Sequence, residues 1–354
     1  MAERFDRLTP GQSSEVLSLA QAATEADQVA PLSEQVMLSL DEDPEAGDQT
    51  GSRSASGHFL AYSGKRLIGY AHLEGSTDRD LDSGSATAEL VVDPRDRRQG
   101  IGTELLGSVE TAVARTSARG ASGSGTAGSG TAGPGTAGPG TSEPQASTGR
   151  TVKVWSHGDL PSGRAFALRR GYTPVRELWQ MRRSLRPDTT SLPAADLPEG
   201  FRARSFVVGQ DEGAWLQVNA RAFVEHEEQG QVTRHDLDRR LAEPWFDPHG
   251  FILIEDVRGP SPVLAASHWT KVVADGQPGE GEVYVVGVDP HYQGSGLGRA
   301  ATVLGLNHLR DQGLTEATLY VDADNQAAVS TYARLGFTRS AVDIMYSRLV
   351  HLQQ

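Results

Sequence analysis

One pattern occurs twice in the chain, and it dictates a fold in which strands feed directly into helices. Leu90-Val91-Val92 runs through Asp93-Pro94 into Arg97-Arg98-Gln99-Gly100-Ile101-Gly102. Roughly two hundred residues later, Val286-Gly287-Val288 runs through Asp289-Pro290 into Gln293-Gly294-Ser295-Gly296-Leu297-Gly298-Arg299. Each copy reads apolar strand, Asp-Pro, a short polar step, then [Arg/Gln]-x-x-Gly-x-Gly at the head of an amphipathic helix. Such a turn presents backbone N–H groups at the positive end of a helix dipole, which suits a pyrophosphate. A Cβ at the glycines is expected to keep the backbone away from the phosphates. A lone Gly-x-Gly carries little weight. Two copies in matching context point to two related domains.

The 354 residues are enough for two cores of ordinary size. A formal net charge of −13 argues against nucleic acid or an anionic membrane as the main partner, and it is compatible with a cationic or polyhydroxyl small molecule. Absence of cysteine removes disulfides, thiolate metal sites and a thiol nucleophile. The ten histidines form no helix pairs of metal spacing, and His226 beside Glu227 and Glu228 reads as a solvated cluster, so no metal is expected. Residues 1–10 lack the apolar core of a signal peptide and no stretch approaches a membrane span. A soluble, cytoplasmic, monomeric chain is expected.

Residues 120–149 form a Gly/Ala/Thr/Ser/Pro tract with a five-residue repeat, expected to be a disordered loop insertion because it has almost nothing to bury. A second break at 184–200, holding Pro187, Pro193 and Pro198, looks like an interdomain linker. The expected division is therefore an N-terminal domain at 1–186, a linker at 187–199 and a C-terminal domain at 200–354. In the second half, strands are predicted at 201–206, 251–255, 263–273, 282–288, 317–321 and 340–348. Helices are predicted at 212–223, burying Leu216, Ala220 and Phe223, at 235–241, at 297–309, with Leu297, Ala301, Leu304 and His308 on one face, and at 325–335. Ile101, Leu105, Val109 and Val113 give the matching helix face of the first half, with a strand at 151–155. The fold class is α/β with a mixed sheet, built twice.

These residues resemble the GNAT acyl-CoA N-acyltransferases in tandem. The pattern Asp324-Asn325-Gln326-Ala327-Ala328-x3-Tyr332-x3-Gly336-Phe337 is similar to that family as well. Further blocks, Pro31 to Val36, Trp245 to Pro248, His268 to Lys271 and Gly281 to Pro290, resemble a tandem branch that acetylates the cysteinyl amine of a cysteine–glucosamine–inositol conjugate. The resemblance implies acetyl-CoA as co-substrate and a pseudo-disaccharide as acceptor. It places the pyrophosphate on residues 97–102 and 293–299, and the pantetheine along Leu90, Val91 and Val92 or Val286, Gly287 and Val288. It also assigns Asn325, Gln326, Ala327, Ala328, Val329 and Ser330 to the acyl-CoA.

Amide formation from a thioester needs a deprotonated amine, stabilisation of the carbonyl oxygen and protonation of the departing thiolate. With no cysteine, direct attack within a ternary complex is the simpler route. Glu282 is the expected base, through water, against the plain alternative of an exposed carboxylate at a strand end. Tyr332 is the expected acid, against a buried core tyrosine. Asn325 either bonds the pantetheine or caps its helix. A backbone N–H near Val288 is the expected oxyanion donor. The resemblance assigns acceptor recognition to Glu34, Glu228, Lys271, Glu282 and Tyr320, and with Glu34 in the first domain it implies a cleft between domains.

Aligned through Gly171-Tyr172 and Gly336-Phe337, Tyr332 falls on Ala167 and Asn325 on Leu160. Counted from Asp93 against Asp289, Glu282 falls on Ala86, with Glu89 a substitute only in another register. The first copy is therefore expected to bind acetyl-CoA without catalysing. Other tandem members acting on protein N-termini or aminoglycosides remain alternatives, as does a non-catalytic acyl-CoA sensor.

Overall fold

A computed structural model describes residues 2–40, 57–74, 85–120, 149–186, 192–224, 229–272 and 279–351. The expected disordered insertion falls on residues outside these, apart from its two ends. The chain forms two compact units that do not coincide with single stretches of sequence. One comprises Met1–Glu177 and Asp343–Gln354, the other Leu178–Val342.

The first unit contains β1 (Glu3–Phe5), α1 (Pro10–Asp27), α2 (Glu34–Ser39), β2 (Gly57–Ser63), β3 (Arg66–Glu74), β4 (Ser85–Val92), α3 (Ile101–Gly120), β5 (Gly149–Ser156), α4 (Pro161–Arg169) and the start of β6 (Thr173–Ser184). Its strands run β1-β2-β3-β4-β5, antiparallel except for the parallel β4–β5 pair. The next strand against β5 is β12 (Thr338–His351), which pairs from Ile344↔Ser156 to His351↔Gly149. Leu105, Leu106, Val109 and Val113 of α3 cover one face of this sheet, while Val16, Leu19, Ala20 and Ala23 of α1 cover the other. β3 is accordingly buried along both faces, and its Leu67, Ile68 and Leu73 side chains contribute roughly 1.5–3 kcal/mol each. Thr9 and Gln12 close a reciprocal capping box at the start of α1, with Pro10 at its first position.

The second unit repeats the order with β7 (Phe201–Ser205), α5 (Glu212–Ala222), α6 (Arg234–Leu241), β8 (Phe251–Asp256), β9 (Val263–Lys271), β10 (Glu280–Val288), α7 (Leu297–Asp311), β11 (Glu316–Asp322) and α8 (Gln326–Arg334). Its strands run β7-β8-β9-β10-β11, and here β11 pairs with β6, from Asp322↔Leu178 to Glu316↔Ser184. The closing strand of each repeat thus completes the sheet of its sibling. As repeats along the sequence, the two halves still show one element order.

α7 lies on one face of this second sheet, burying Leu297, Ala300, Ala301, Val303, Leu306 and Leu309, while the predicted Leu304 and His308 are only half-buried. It approaches β9 so closely that a Cβ on Gly305 would sit 2.1 Å from the His268 ring. α5 covers the opposite face, where the predicted Leu216 and Phe223 pack half-buried. It buries Trp215, Val218 and Asn219, leaving Ala220 exposed. Trp215 has the most apolar surface to lose and sets the rotation, and Asn219 is tolerated because its amide donates to the Gln229 carbonyl at 2.6 Å.

Candidate active site

The parallel ladder between β10 and β11 holds from Glu280↔Glu316 to Val283↔Leu319 and then stops. β10 continues to Val288 paired with β9 alone, and β11 continues to Asp322 paired with β6. The backbone of residues 284–288, including the predicted Val286, Gly287 and Val288, therefore borders a gap in the sheet. At the end of β10, Asp289 accepts from the His291 N–H at 3.0 Å and from Arg221 at 2.8 Å. Burial opposes its charge, yet the His291 backbone and ring and Arg221 hold it below the usual carboxylate range. The Asp-Pro pair is thus a capped turn that fixes where the next helix begins.

Gly294 and Gly296 have φ of +77° and +87°, and a Cβ on either would meet nothing within 4 Å. Left-handed backbone alone favours glycine there, before any ligand is considered. The first bond of α7 runs from the Ala300 N–H to the Gly296 carbonyl, 3.1 Å. The N–H groups of Leu297, Gly298 and Arg299 precede that bond, at the positive end of the helix.

Val283 packs with the α7 side of the sheet, so Glu282 beside it points to the other face. Its ladder partners are Lys271 on β9 and Thr318 on β11. Leu319 and Val321 pack toward α7, which turns Tyr320 to the face of Glu282. Tyr320 is 47% exposed, and its hydroxyl accepts from Gln180 at 3.3 Å. Three predicted residues, Glu282, Lys271 and Tyr320, are therefore gathered on one face where the sheet opens.

Asn325 caps α8, its side-chain oxygen accepting from the Ala328 N–H at 3.1 Å, and residues 326–330 form the helix's first turns. Tyr332 lies two turns on, half-buried against the Leu319 and Val321 side and meeting Phe337 edge-on at 5.8 Å. Desolvation pushes its phenol up to about 12, so it carries its proton at neutral pH. Glu282 and Tyr332 thus belong to opposite faces of the opened sheet.

The profile of the Acetyltransferase (GNAT) family matches residues 23–122 and 215–337. The chain belongs to the GNAT acetyltransferase family. A mycothiol acetyltransferase of Thermobispora bispora is 46% identical over 97% of this chain and 98% of its own length. A second protein of that name, from Catenulispora acidiphila, is 44% identical over 94% and 93%. A solved tandem GNAT protein from the clavulanic acid biosynthesis pathway shares the fold, with a TM-score of 0.68 at 17% identity, covering all of both chains.

The first GNAT copy opens in the same way, its β4–β5 ladder ending at Ala88↔Val154. Leu90, Val91 and Val92 border the gap. The turn is altered. Arg98 takes the place of Gly294 at φ +66°, ahead of Gly100 at +90°, a strain of about 1–3 kcal/mol for a residue with a Cβ. Arg97 is tied to Asp27 by two bonds of 2.8 and 2.7 Å, and Arg95 to Asp93. Gln99 and Gly100 are exposed, and Ile101 and Gly102 open α3.

Leu160 precedes α4 as Asn325 precedes α8, which keeps Ala167 in the place of Tyr332. The match of Glu282 to Ala86 needs correction by one residue. The β9–β10 register slips between Val283 and Val285, whereas β3–β4 runs without a slip from Gly69↔Val92 to Glu74↔Thr87. The second copy therefore carries an extra residue, and Glu282 falls on Thr87. A threonine hydroxyl accepts hydrogen bonds but is too weak a base to replace the carboxylate.

Glu89 is occupied otherwise. Its buried carboxylate accepts from the Ser33 N–H at 2.6 Å and meets His157 at 3.4 Å, and His157 also reaches Asp343 at 3.2 Å. Burial works against the His157 charge, but Asp343 and Glu89 outweigh it and lift the ring to about 10. Glu34 sits one residue beyond Ser33, at the start of α2 in this first unit. Glu228 lies outside the described residues. Sequence reasoning missed the Glu89–His157–Asp343 cluster because its members lie far apart in the chain. It also missed Tyr284, whose position depends on the register slip. Among the described residues no group of three or more His, Asp or Glu side chains converges as a metal site requires, and no helix is long and apolar enough to cross a membrane.

Proposed function

We propose that this chain is a mycothiol acetyltransferase, moving the acetyl group of acetyl-CoA onto the cysteinyl amine of the desacetyl cysteine–glucosamine–inositol conjugate. The chemistry belongs to the second copy. The observation that carries this reading is the gathering of Glu282, Lys271 and Tyr320 where β10 and β11 part, in a chain 46% identical to a protein of that name.

Acetyl-CoA fits the second copy on two counts. The positive end of α7, with its two left-handed glycines, offers N–H groups to a pyrophosphate. The unpaired edge of residues 284–288 offers backbone groups to the amide-containing pantetheine arm. When bound, the co-substrate supplies the activated acyl carbon. Glu282, on the acceptor face, takes the ammonium proton through water. The amine then attacks, a C–N bond forms and the C–S bond breaks. Tyr332, on the other face and protonated at neutral pH, gives its proton to the departing thiolate, and the second proton shed by the nitrogen as the amide forms restores the phenol through water. A backbone N–H near Val288 polarises the carbonyl oxygen. Lys271 and Tyr320 bind hydroxyls and amines of the acceptor. The first copy keeps a cradle for acetyl-CoA and lacks the proton-transfer groups. The protein acts as a cytoplasmic monomer without metal.

The test is an acceptor panel with purified protein and acetyl-CoA: the desacetyl conjugate, glucosamine, an aminoglycoside and a peptide with a free N-terminus. The reading expects kcat/KM for the conjugate to exceed the others by at least about 100-fold, because only the conjugate offers partners to several of the site's polar groups. Equal or faster turnover of any other amine would refute it, and no turnover of any amine would favour an acyl-CoA sensor.

A further inference from the structure

The register slip in β10 has a chemical consequence on the acceptor face. Val283 stands opposite Thr270 and Val285 opposite Trp269, so Tyr284 is the inserted residue of a β-bulge. Val283 and Val286 pack on the α7 side, whereas Tyr284 and Val285 both pack on the opposite side. The bulge thus sets Tyr284 on the face that carries Glu282 and Lys271, a side chain for which the first copy has no counterpart.

Tyr284 is held from three directions. Its hydroxyl accepts from Arg240 Nε at 2.8 Å, and Arg240 is itself anchored on the Asp236 carbonyl at 3.0 Å. Its ring meets Trp269 edge-on at 5.4 Å and Trp245 at 5.2 Å. The Lys271 ammonium lies 5.0 Å from the centre of the Trp245 ring and 5.2 Å from that of Tyr284. Both distances are within the range in which an aromatic face attracts a cation.

We infer that Tyr284 and Trp245 are positioning residues for Lys271, fixing its ammonium beside Glu282 so that the site selects an acceptor with a polyhydroxyl body over a bare amine. Arg240 acts one step back by holding the Tyr284 ring. The inference rests on the proposed acetyl transfer and on Lys271 as an acceptor contact, and it adds what decides specificity there.

Steady-state kinetics with two acceptors test it: the full conjugate and a cysteinyl amide lacking the sugar and inositol. The variants are Lys271→Met, Tyr284→Leu, Trp245→Leu, and the milder Tyr284→Phe and Trp245→Phe, which keep a ring if the leucine variants fold poorly. Expected are a roughly tenfold rise in KM for the conjugate in Lys271→Met, Tyr284→Leu and Trp245→Leu, smaller rises in the phenylalanine variants, and KM for acetyl-CoA within twofold of the parent. The loss in kcat/KM should be smaller on the truncated acceptor than on the conjugate. If Lys271→Met weakens the conjugate and neither ring variant does, the inference fails. It fails equally if the ring variants lose the same factor on both acceptors, since that marks general disruption. If Lys271→Met has no effect, the Lys271 contact itself is wrong, and if the parent ignores the conjugate, the proposed function is.

Discussion

Replacing Tyr332 by Phe isolates the proposed acid. The ring meets Phe337 at 5.8 Å and would remain. Its hydroxyl has no hydrogen-bond partner among the described residues, so stability should shift by less than about 0.5 kcal/mol. A positioned proton donor contributes about 10²–10⁴ in rate, or roughly 3–5 kcal/mol in the barrier, and kcat should fall by that factor with KM for acetyl-CoA unchanged. Burial holds the phenol near 12, so the deficit should be flat between about pH 6 and 9, well below its titration. The acceptor carries its own thiol, so released CoA must be separated by chromatography rather than titrated with a thiol reagent. A thioester of a more acidic thiol needs less protonation as it leaves, and the deficit should shrink with it. A kcat within twofold of the parent, or a deficit independent of the leaving thiol, would refute the assignment.

Glu282→Gln should lower kcat by about 10²–10⁴, and raising the pH should restore part of it as more amine is already neutral; an unchanged rate would remove Glu282 as base. Burial lowers His58 and His72 to about 4 and His268 to about 3, so the unfolded chain takes up more protons below about pH 6.5 and stability falls with acid. His157 is lifted to about 10, so its contribution is complete below about pH 6.5 and is lost as the pH rises toward 10. Melting temperature should therefore peak near pH 6.5, and His157→Gln should flatten the alkaline limb; an unchanged limb would refute its charged pairing. Gly305→Ala drives a Cβ into the His268 ring and should lower stability by about 1–3 kcal/mol, some 2–12 °C at about 2–4 °C per kcal/mol in scanning calorimetry; an unshifted melt would contradict the packing of α7 on β9.

The two glycine turns were legible because their residues are contiguous and tied to a backbone conformation that few other residues adopt. The order of strands and helices was legible because apolar periodicity is local. Which sheet a closing strand completes was not. β6 and β12 follow equivalent helices, and nothing in Thr173–Ser184 or Thr338–His351 states which sibling each will pair with. The bulge at Tyr284 was hidden because one inserted residue in an apolar strand leaves the composition unchanged, and this produced the one-residue error between Ala86 and Thr87. On α5 only Ala220 was misplaced: Leu216 and Phe223 pack in the Trp215 cluster, but the size of Trp215 turns the helix so that Ala220 faces out.

The most direct test is a crystal structure of the protein with a non-hydrolysable thioether analogue of acetyl-CoA and the desacetyl conjugate. The account predicts the analogue's sulfur within about 3.5 Å of the Tyr332 hydroxyl and the cysteinyl amine on the Glu282 face of the second sheet. An acceptor amine bound at the gap between β4 and β5, beside Ala167 instead, would contradict it.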